Sequence, residues 1–462
     1  MRQQVGMYTG KLTYQDIEFT FAFDGEELHL IPPDEKKHEF FMGHMMRYLG
    51  NGLYVNGDPL VMREPFLVGE CNEINNVIVF LPKQGNTVGS MNSVLIISLD
   101  AYIVCKTKNH SVDRMNFQCP EINYIHPANL AYVYPDLRGF ENGEATVSTR
   151  SFEETTTGRQ CFQMNGETVY ASFGIDRNLN RRINEPPFSA NSSLMFEFDA
   201  TEDYQFIIQL WRIARGFIRY LCYRNNVFIP EVKLFSPYEG GLHEHCGMMY
   251  LLKQNEEPEE EALKKEMCIK QQHITGHEGE ILSDIAARKL YVRHLPESYR
   301  SGRHIDAARF IMIIAAFEWE FRRLYLNRLI KLESSVEDAL NKEPDEQKKT
   351  ALLAKALEKI YLKDRIIQMF DNFSSIIDPF AKQLYSLNKE KCVYEDVAER
   401  LKGQRHRFAH GDLEQDFEDL SLLDLILMER ALYVMQLKLY GIEDKAIQKA
   451  INELFHLSFR ID

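Results

Sequence analysis

The hydrophobic side chains of this chain change period once, and that change decides what it can fold into. Up to about residue 200 they alternate with polar residues. Ile17, Phe19, Phe21 and Phe23 are interleaved with Glu18, Thr20 and Ala22, the period of a half-buried strand. Leu28 and Leu30 flank His29 before Pro32-Pro33 stop the run. Val77–Leu81 is an apolar block closed by Pro82, and 94–104 is rich in β-branched residues. The pair Asn165-Gly166 is a turn signal that opens a strand at Glu167–Phe173, and Leu194, Phe196 and Phe198 alternate again. Many short strands between Gly, Asn and Pro clusters predict an antiparallel sandwich or barrel-like module.

From about Gly302 the apolar residues recur every three or four positions. Phe310, Ile313, Ile314, Phe317, Phe321 and Leu324 form one stripe. A second helix is expected through Leu353, Leu357, Ile360, Ile367 and Phe370, with Pro344 and Pro379 as breaks on either side. A third runs from about Tyr394 to Phe408 with Val397, Leu401 and Phe408 inward. The fourth, from about Phe417 to Tyr440, is apolar nearly all round, so it is expected to be central in a bundle or part of a subunit interface. Between the two regimes, Tyr204–Arg224 has helical spacing and lines up Arg212, Arg215 and Arg219 on one face, which is either a phosphate-binding face or a solvated one. The acidic run Glu256–Glu261, broken by Pro258, reads as an exposed connection. The expected organisation is therefore an α+β multidomain chain: a β-rich N-terminal domain at 1–200, a mixed helical and connecting region at 201–299, and an all-α bundle at 300–462.

Composition narrows the function. A chain of 462 residues with 45% hydrophobic and 26% charged residues has material for two or three domains and is neither disordered nor collagenous. No apolar run approaches the roughly 20 residues of a bilayer crossing, and MRQQVGMYTGKL has no apolar signal region. The 8 cysteines are scattered without a CxxC pair, which suits reduced thiols in the cytoplasm. The net charge of −14 argues against a polybasic role. The acid is unevenly placed: Arg300–Asp462 holds 26 basic against 28 acidic residues, so a basic groove there is compatible with the composition.

The stretch Lys402-Gly403-Gln404-Arg405-His406-Arg407-Phe408-Ala409-His410-Gly411-Asp412 concentrates cationic chemistry at the expected end of the third helix. A histidine moves protons near neutral pH, and an arginine offers a forked, permanent cation to phosphate oxygens. The competing reading is that these residues merely complement a helix C-terminus. Arg288 to His294 and Arg400 to His406 show similar spacing elsewhere in the chain.

Arg405-x4-His410, with His406 after the arginine, the Ala-His-Gly ending, a long apolar helix and Tyr440-Gly441-Ile442, resembles the R-x(4–6)-H motif of HEPN ribonucleases. The order of a β-rich region before a helical bundle is similar to the ApeA-like branch. The resemblance covers about 160 residues and implies metal-independent RNA cleavage with no cofactor. It assigns His410 proton transfer, Arg405 charge stabilisation, and His406 either the orienting of the phosphate or a share of the proton work. It implies an acidic residue on the first bundle helix that orients Arg405, for which Glu318 is preferred over Glu320. Arg407 and Lys402 are the expected RNA-binding neighbours. Antiphage abortive infection, tRNA as target, a phage-derived trigger and a homodimer or even-numbered assembly are further implications. Geometry supports the last: five residues turn a helix by about 500°, leaving Arg405 and His410 roughly 140° apart. Either the helix unwinds before His410, or two motifs face each other across a two-fold axis, which is the arrangement the resemblance implies.

Two readings compete. One is a non-catalytic helical module for dimerisation or for binding RNA or protein. The other is a zinc-organised scaffold, using His243, His245 and Cys246 with Cys268, His273 and His277, which are zinc-compatible ligand types. GxxxxGK[ST], HExxH and GxGxxG are all absent.

Overall fold

The structure is a computed structural model. It describes residues 7–36, 46–50, 53–56, 61–72, 76–86, 88–91, 94–106, 111–133, 147–180, 186, 188–252, 259–411, 417 and 420–458, with backbone alone at 46–50, 53–56 and 89–91.

The alternating segments form one antiparallel system. Strands β1 (Tyr8–Tyr14), β2 (Ile17–Phe23) and β3 (Glu27–Ile31) make a meander. A hairpin of β4 (Met46–Gly50) and β5 (Leu53–Asn56) stands apart. Then come β6 (Leu67–Cys71), β7 (Val77–Pro82), the short β8 (Gly89–Met91) and the long β9 (Val94–Cys105). The order β9-β3-β2-β1-β6-β7 returns to β9, because β7 pairs with β9, so six strands close into a barrel. Closure leaves no free edge within the ring. Its interior is filled by side chains: Phe21 and Phe23 meet Phe80 edge-on at 5.2 and 5.3 Å. Gly10 and Gly69 flank the Phe21 ring so closely that a Cβ at either would lie under 3 Å from it.

The far half of β9 also pairs with β17, and this extends the sheet. Following β10 (Val112–Phe117) and a small pair, β11 (Tyr132–Val133) with β12 (Ser148–Thr149), come β13 (Gln160–Met164), β14 (Glu167–Leu179), β15 (Phe188–Thr201), β16 (Glu231–Tyr238) and β17 (Leu242–Leu251). They run in the order β9-β17-β16-β10-β15-β14-β13. Asn165 and Gly166 both take positive φ between β13 and β14, the two-residue turn that the dipeptide predicts. β16 and β17 carry strand structure past residue 200, into the stretch expected to be mixed and connecting. The β-rich unit comprises 1–122, 128–215 and 228–257; the helical unit comprises 123–127, 216–227 and 258–462.

Helix α1 (Tyr204–Cys222) contributes its last turns to the helical unit. Besides the single turn at Ile122–Ile125 and short 3-10 turns, the unit's other described helices are α2 (Glu260–Lys264), α3 (Glu278–Ala286), α4 (Ala307–Leu326), α5 (Ser334–Lys342), α6 (Glu346–Leu357), α7 (Leu362–Asn372), α8 (Ser374–Leu387), α9 (Tyr394–Ala409), α10 (Ser421–Leu439) and α11 (Asp444–Leu454). Residues 256–258 of the acidic run lie outside the described residues, and Glu260 already starts α2.

Two expectations are corrected here. The second helix is two, α6 and α7. The Arg365 guanidinium donates to the carbonyls of Leu357 and Ile360 at 3.1 and 2.8 Å, satisfying the end of α6. Pro379 is no break but lies inside α8. A proline lacks the N–H that would reach the carbonyl four residues back. That carbonyl, of Ser375, accepts instead from Gln448 Nε2 at 3.1 Å.

The all-apolar helix is central. Leu425, Leu427, Met428, Ala431, Leu432, Val434, Met435 and Leu437 of α10 have no exposed surface. It packs against α4, α8, α9 and α11 of the same chain. Tyr433 stacks on Tyr220 at 5.1 Å and donates to the Tyr220 carbonyl at 2.7 Å. Of the two places expected for this helix, a central one in a bundle or a subunit interface, it takes the first.

Candidate functional site

Helix α9 buries Val397, Ala398, Leu401, Gln404 and Phe408, positions three and four apart, and so turns Lys402, Arg405, His406 and Ala409 outward. Its end is fixed by Phe408, which meets Phe310 of α4 edge-on at 5.3 Å and Phe417 at 5.5 Å. His410 is the C-cap; its N–H donates to the carbonyls of His406 and Arg407 at 3.2 and 3.1 Å. Gly411 follows at φ +96°, the left-handed conformation that ends a helix.

Glu318 on α4 places Oε2 3.2 Å from Arg405 Nη2. The pair is open to solvent, with the arginine side chain 45% exposed, so it contributes on the order of 0.2–1 kcal/mol to stability. Such a contact orients a guanidinium and yields readily to a phosphate. The rings of His406 and His410 lie 4.3 Å apart between centroids at 64°, one helical turn from each other. The structure thus joins Arg405 to Glu318 and His406 to His410. Among the described residues it shows no bond between Arg405 and His410. Arg407 donates to Gln404 Oε1 at 2.7 Å, and Lys402 pairs with Glu399 at 3.2 Å.

The similarly spaced residues elsewhere have other tasks. Arg400 makes a two-pronged pair with Asp424 of α10, Nε at 2.6 Å and Nη2 at 2.8 Å, and the Tyr385 hydroxyl donates to the same carboxylate. Asp424 is fully buried, and burial raises its pKa. This trio ties α8, α9 and α10 together. His294 is buried; desolvation, then the nearby Arg309 charge, lower its pKa to about 3. Glu320, two residues from Glu318, is equally buried. It accepts from Arg323 at 2.8 Å, from the Tyr291 N–H at 3.1 Å and from Gln436 at 3.1 Å, and burial raises its pKa. Sequence reasoning missed Asp424 and Tyr385, because a lone Asp in an apolar helix shows its use only once its partners are placed.

The zinc-type residues are engaged elsewhere. His243 Nδ1 lies 2.9 Å from Asp113, and His245 sits between Lys106 Nζ at 3.1 Å and the Gly247 carbonyl at 3.0 Å. His273 bonds Glu453 and His277 bonds Glu280, each at 3.0 Å. Cys246 and Cys268 are buried thiols pushed up in pKa by desolvation. Among the described residues no three His, Cys, Asp or Glu side chains form a metal-binding group. On α1, Arg212 lies 3.6 Å from Asp100, and Arg215 stands over the Trp211 ring at 5.5 Å.

No family model matches the chain, and comparison with curated proteins and with solved structures finds no match. Among the described residues no helix is long and apolar enough to cross a membrane.

Proposed function

We propose that this chain is an endoribonuclease of the ApeA-like HEPN class, acting on RNA in antiphage abortive infection. The observation that carries the reading is the outward-facing Arg405, held by Glu318 beside the His406–His410 pair at the open end of α9. These residues suit cleavage by internal transfer. A base takes the proton from a ribose 2′-OH, O2′ bonds to the adjacent phosphorus, and the bond to O5′ breaks. An acid protonates O5′, leaving a 2′,3′-cyclic phosphate and a 5′-OH. His410 serves as base or acid. Arg405, released from Glu318, meets the charge that builds on the non-bridging oxygens. His406, one turn from His410, is the second proton carrier. The chemistry calls for no metal, and DNA lacks the attacking hydroxyl.

The proposal includes a composite site. Arg405 and His410 point to different sides of one helix end, so a two-fold pairing of helical units would set both motifs around one cleft. The β-rich unit would act as sensor or restraint for a phage-derived trigger in the cytoplasm, with tRNA as a target class. The missing bond between Arg405 and His410 favours a second reading, a non-catalytic RNA- or protein-binding module. Purified protein with a tRNA pool, with and without EDTA, separates the two. The nuclease reading expects cleavage in both, ending in cyclic phosphate, and loss of cleavage in Arg405→Ala and His410→Ala. Intact RNA, or strict dependence on added Mg²⁺, overturns it.

A further inference from the structure

We infer that Trp319 is a stacking platform for an unpaired RNA base beside the Arg405 motif, so that the substrate is a single-stranded segment or loop; this rests on the ribonuclease reading above. Trp319 follows Glu318 on α4, about 100° round the helix. It is 46% exposed, an unusual placement for the costliest apolar side chain. Its exposure is fixed: Nε1–H donates to the Lys289 carbonyl at 2.8 Å, and the Tyr291 ring lies 6.4 Å away at 49°. The segment that receives it is anchored in turn, because the Tyr291 N–H donates to buried Glu320. An indole pinned by its N–H edge keeps a π-surface for a ligand.

The charge around the ring says which ligand. Lys289 and its neighbour Arg288 are exposed, as is Arg293, two residues beyond Tyr291. Arg322 is exposed one turn beyond Glu318 on α4. Among the described residues none of these four cations stands in an ion pair. Two carboxylates on the adjoining helices are already taken: Asp284 of α3 by Arg323, and Glu318 of α4 by Arg405. An exposed aromatic face among unneutralised cations fits a base with its flanking phosphates. A duplex hides its base faces, so it would not use such a platform.

The chain has two tryptophans, Trp211 and Trp319, which makes the test direct. In a Trp211→Phe, His410→Ala protein, Trp319 is the sole reporter and RNA is not consumed. Decaadenylate should quench its emission, while a blunt RNA duplex of equal length should not. Trp319→Leu should weaken decaadenylate binding, read by anisotropy of a labelled strand, about 5- to 150-fold, with Trp319→Phe retaining most of the affinity. Arg322→Gln should weaken binding and flatten its salt dependence. Binding without quenching, equal quenching by duplex, or full affinity in Trp319→Leu overturns the platform, even where wild-type protein cuts RNA. Quenching by decaadenylate with no cleavage by wild-type protein sinks the nuclease reading and leaves the platform standing as a binding site. Absence of any RNA binding overturns both.

Discussion

Arg400 and Arg405 sit little more than a turn apart on α9, each facing a carboxylate, and only the surroundings of that carboxylate separate their roles. Asp424 is buried, so Arg400→Ala would strand an unpaired charge and should cost about 3–5 kcal/mol, seen as a fall in the denaturation midpoint. Arg405→Ala should leave the midpoint within about 0.5 kcal/mol and, on the proposed chemistry, lower cleavage by at least roughly 100-fold. An Arg405→Ala protein as unstable as Arg400→Ala would place Arg405 in the scaffold. His294 supplies a pH test. Its folded pKa, about 3, lies below the ordinary value of 6.5, so folding requires the neutral ring. The unfolded chain then binds the extra proton, and stability is complete above pH 6.5 and lost as pH falls towards 3, at about 1.4 kcal/mol per pH unit. Carboxylates with raised pKa, such as Glu320 and Glu429, act in the opposite sense over part of this range. The difference between wild type and His294→Leu isolates the histidine: the stability advantage of wild type should shrink between pH 6 and pH 4. A constant difference would mean that His294 stays neutral in both states or charges freely in both.

Helix α8 shows how an element can break a local rule and have a distant one repair it. Gln448 of α11 fills the place of the N–H that Pro379 lacks, so Gln448→Leu should cost about 1 kcal/mol in Pro379 protein. In Pro379→Ala protein the helix supplies its own N–H, and the same substitution should cost less; a double-mutant cycle with no coupling would refute the link. A residue 69 positions away cannot be foreseen from the spacing that made Pro379 look like a stop. Other elements were legible because their signal is local. The alternation at Ile17–Phe23 matches its strand to the residue, and the block at Val77–Leu81 matches its strand, Val77–Pro82, within one. β16 and β17 were not read, since Pro237, the Gly240-Gly241 turn and the polar run Leu242–Cys246 obscure their alternation. α11 was readable and overlooked: Ile447, Ala450, Ile451 and Leu454 form a plain helical stripe. At the site, α9 and its Gly411 end were visible in the sequence. Glu318 was preferred over Glu320 on the resemblance alone, since both flank the same stripe; the packing of α9 and α10 against α4 is what separates them.

At the scale of the whole chain, the proposed composite site expects a dimer or larger even assembly. Mixing wild-type chains with excess His410→Ala chains under exchange should lower activity per wild-type chain, as most sites become hybrid. A fully active, strictly monomeric species by sedimentation would refute the composite arrangement. The helical unit also has a covalent debt to an early part of the chain. Tyr220 and Tyr223, at the end of α1, pack against Tyr433 of α10, and Tyr223 meets Phe455 at 5.0 Å. A fragment of residues 259–462 lacks both and should show a broad, low-temperature melt where the intact chain melts cooperatively; a sharp, native-like transition in the fragment would show those tyrosines to be dispensable. The same arrangement bears on synthesis at the ribosome. Every described strand has left the exit tunnel before α10 is made, whereas the core around which the helical unit condenses is supplied almost last. A polypeptide released between Gly411 and Ser421 carries α9 without the helix that bears Asp424 and Tyr433. On the proposed function, a cell would thereby be spared active fragments from interrupted translation.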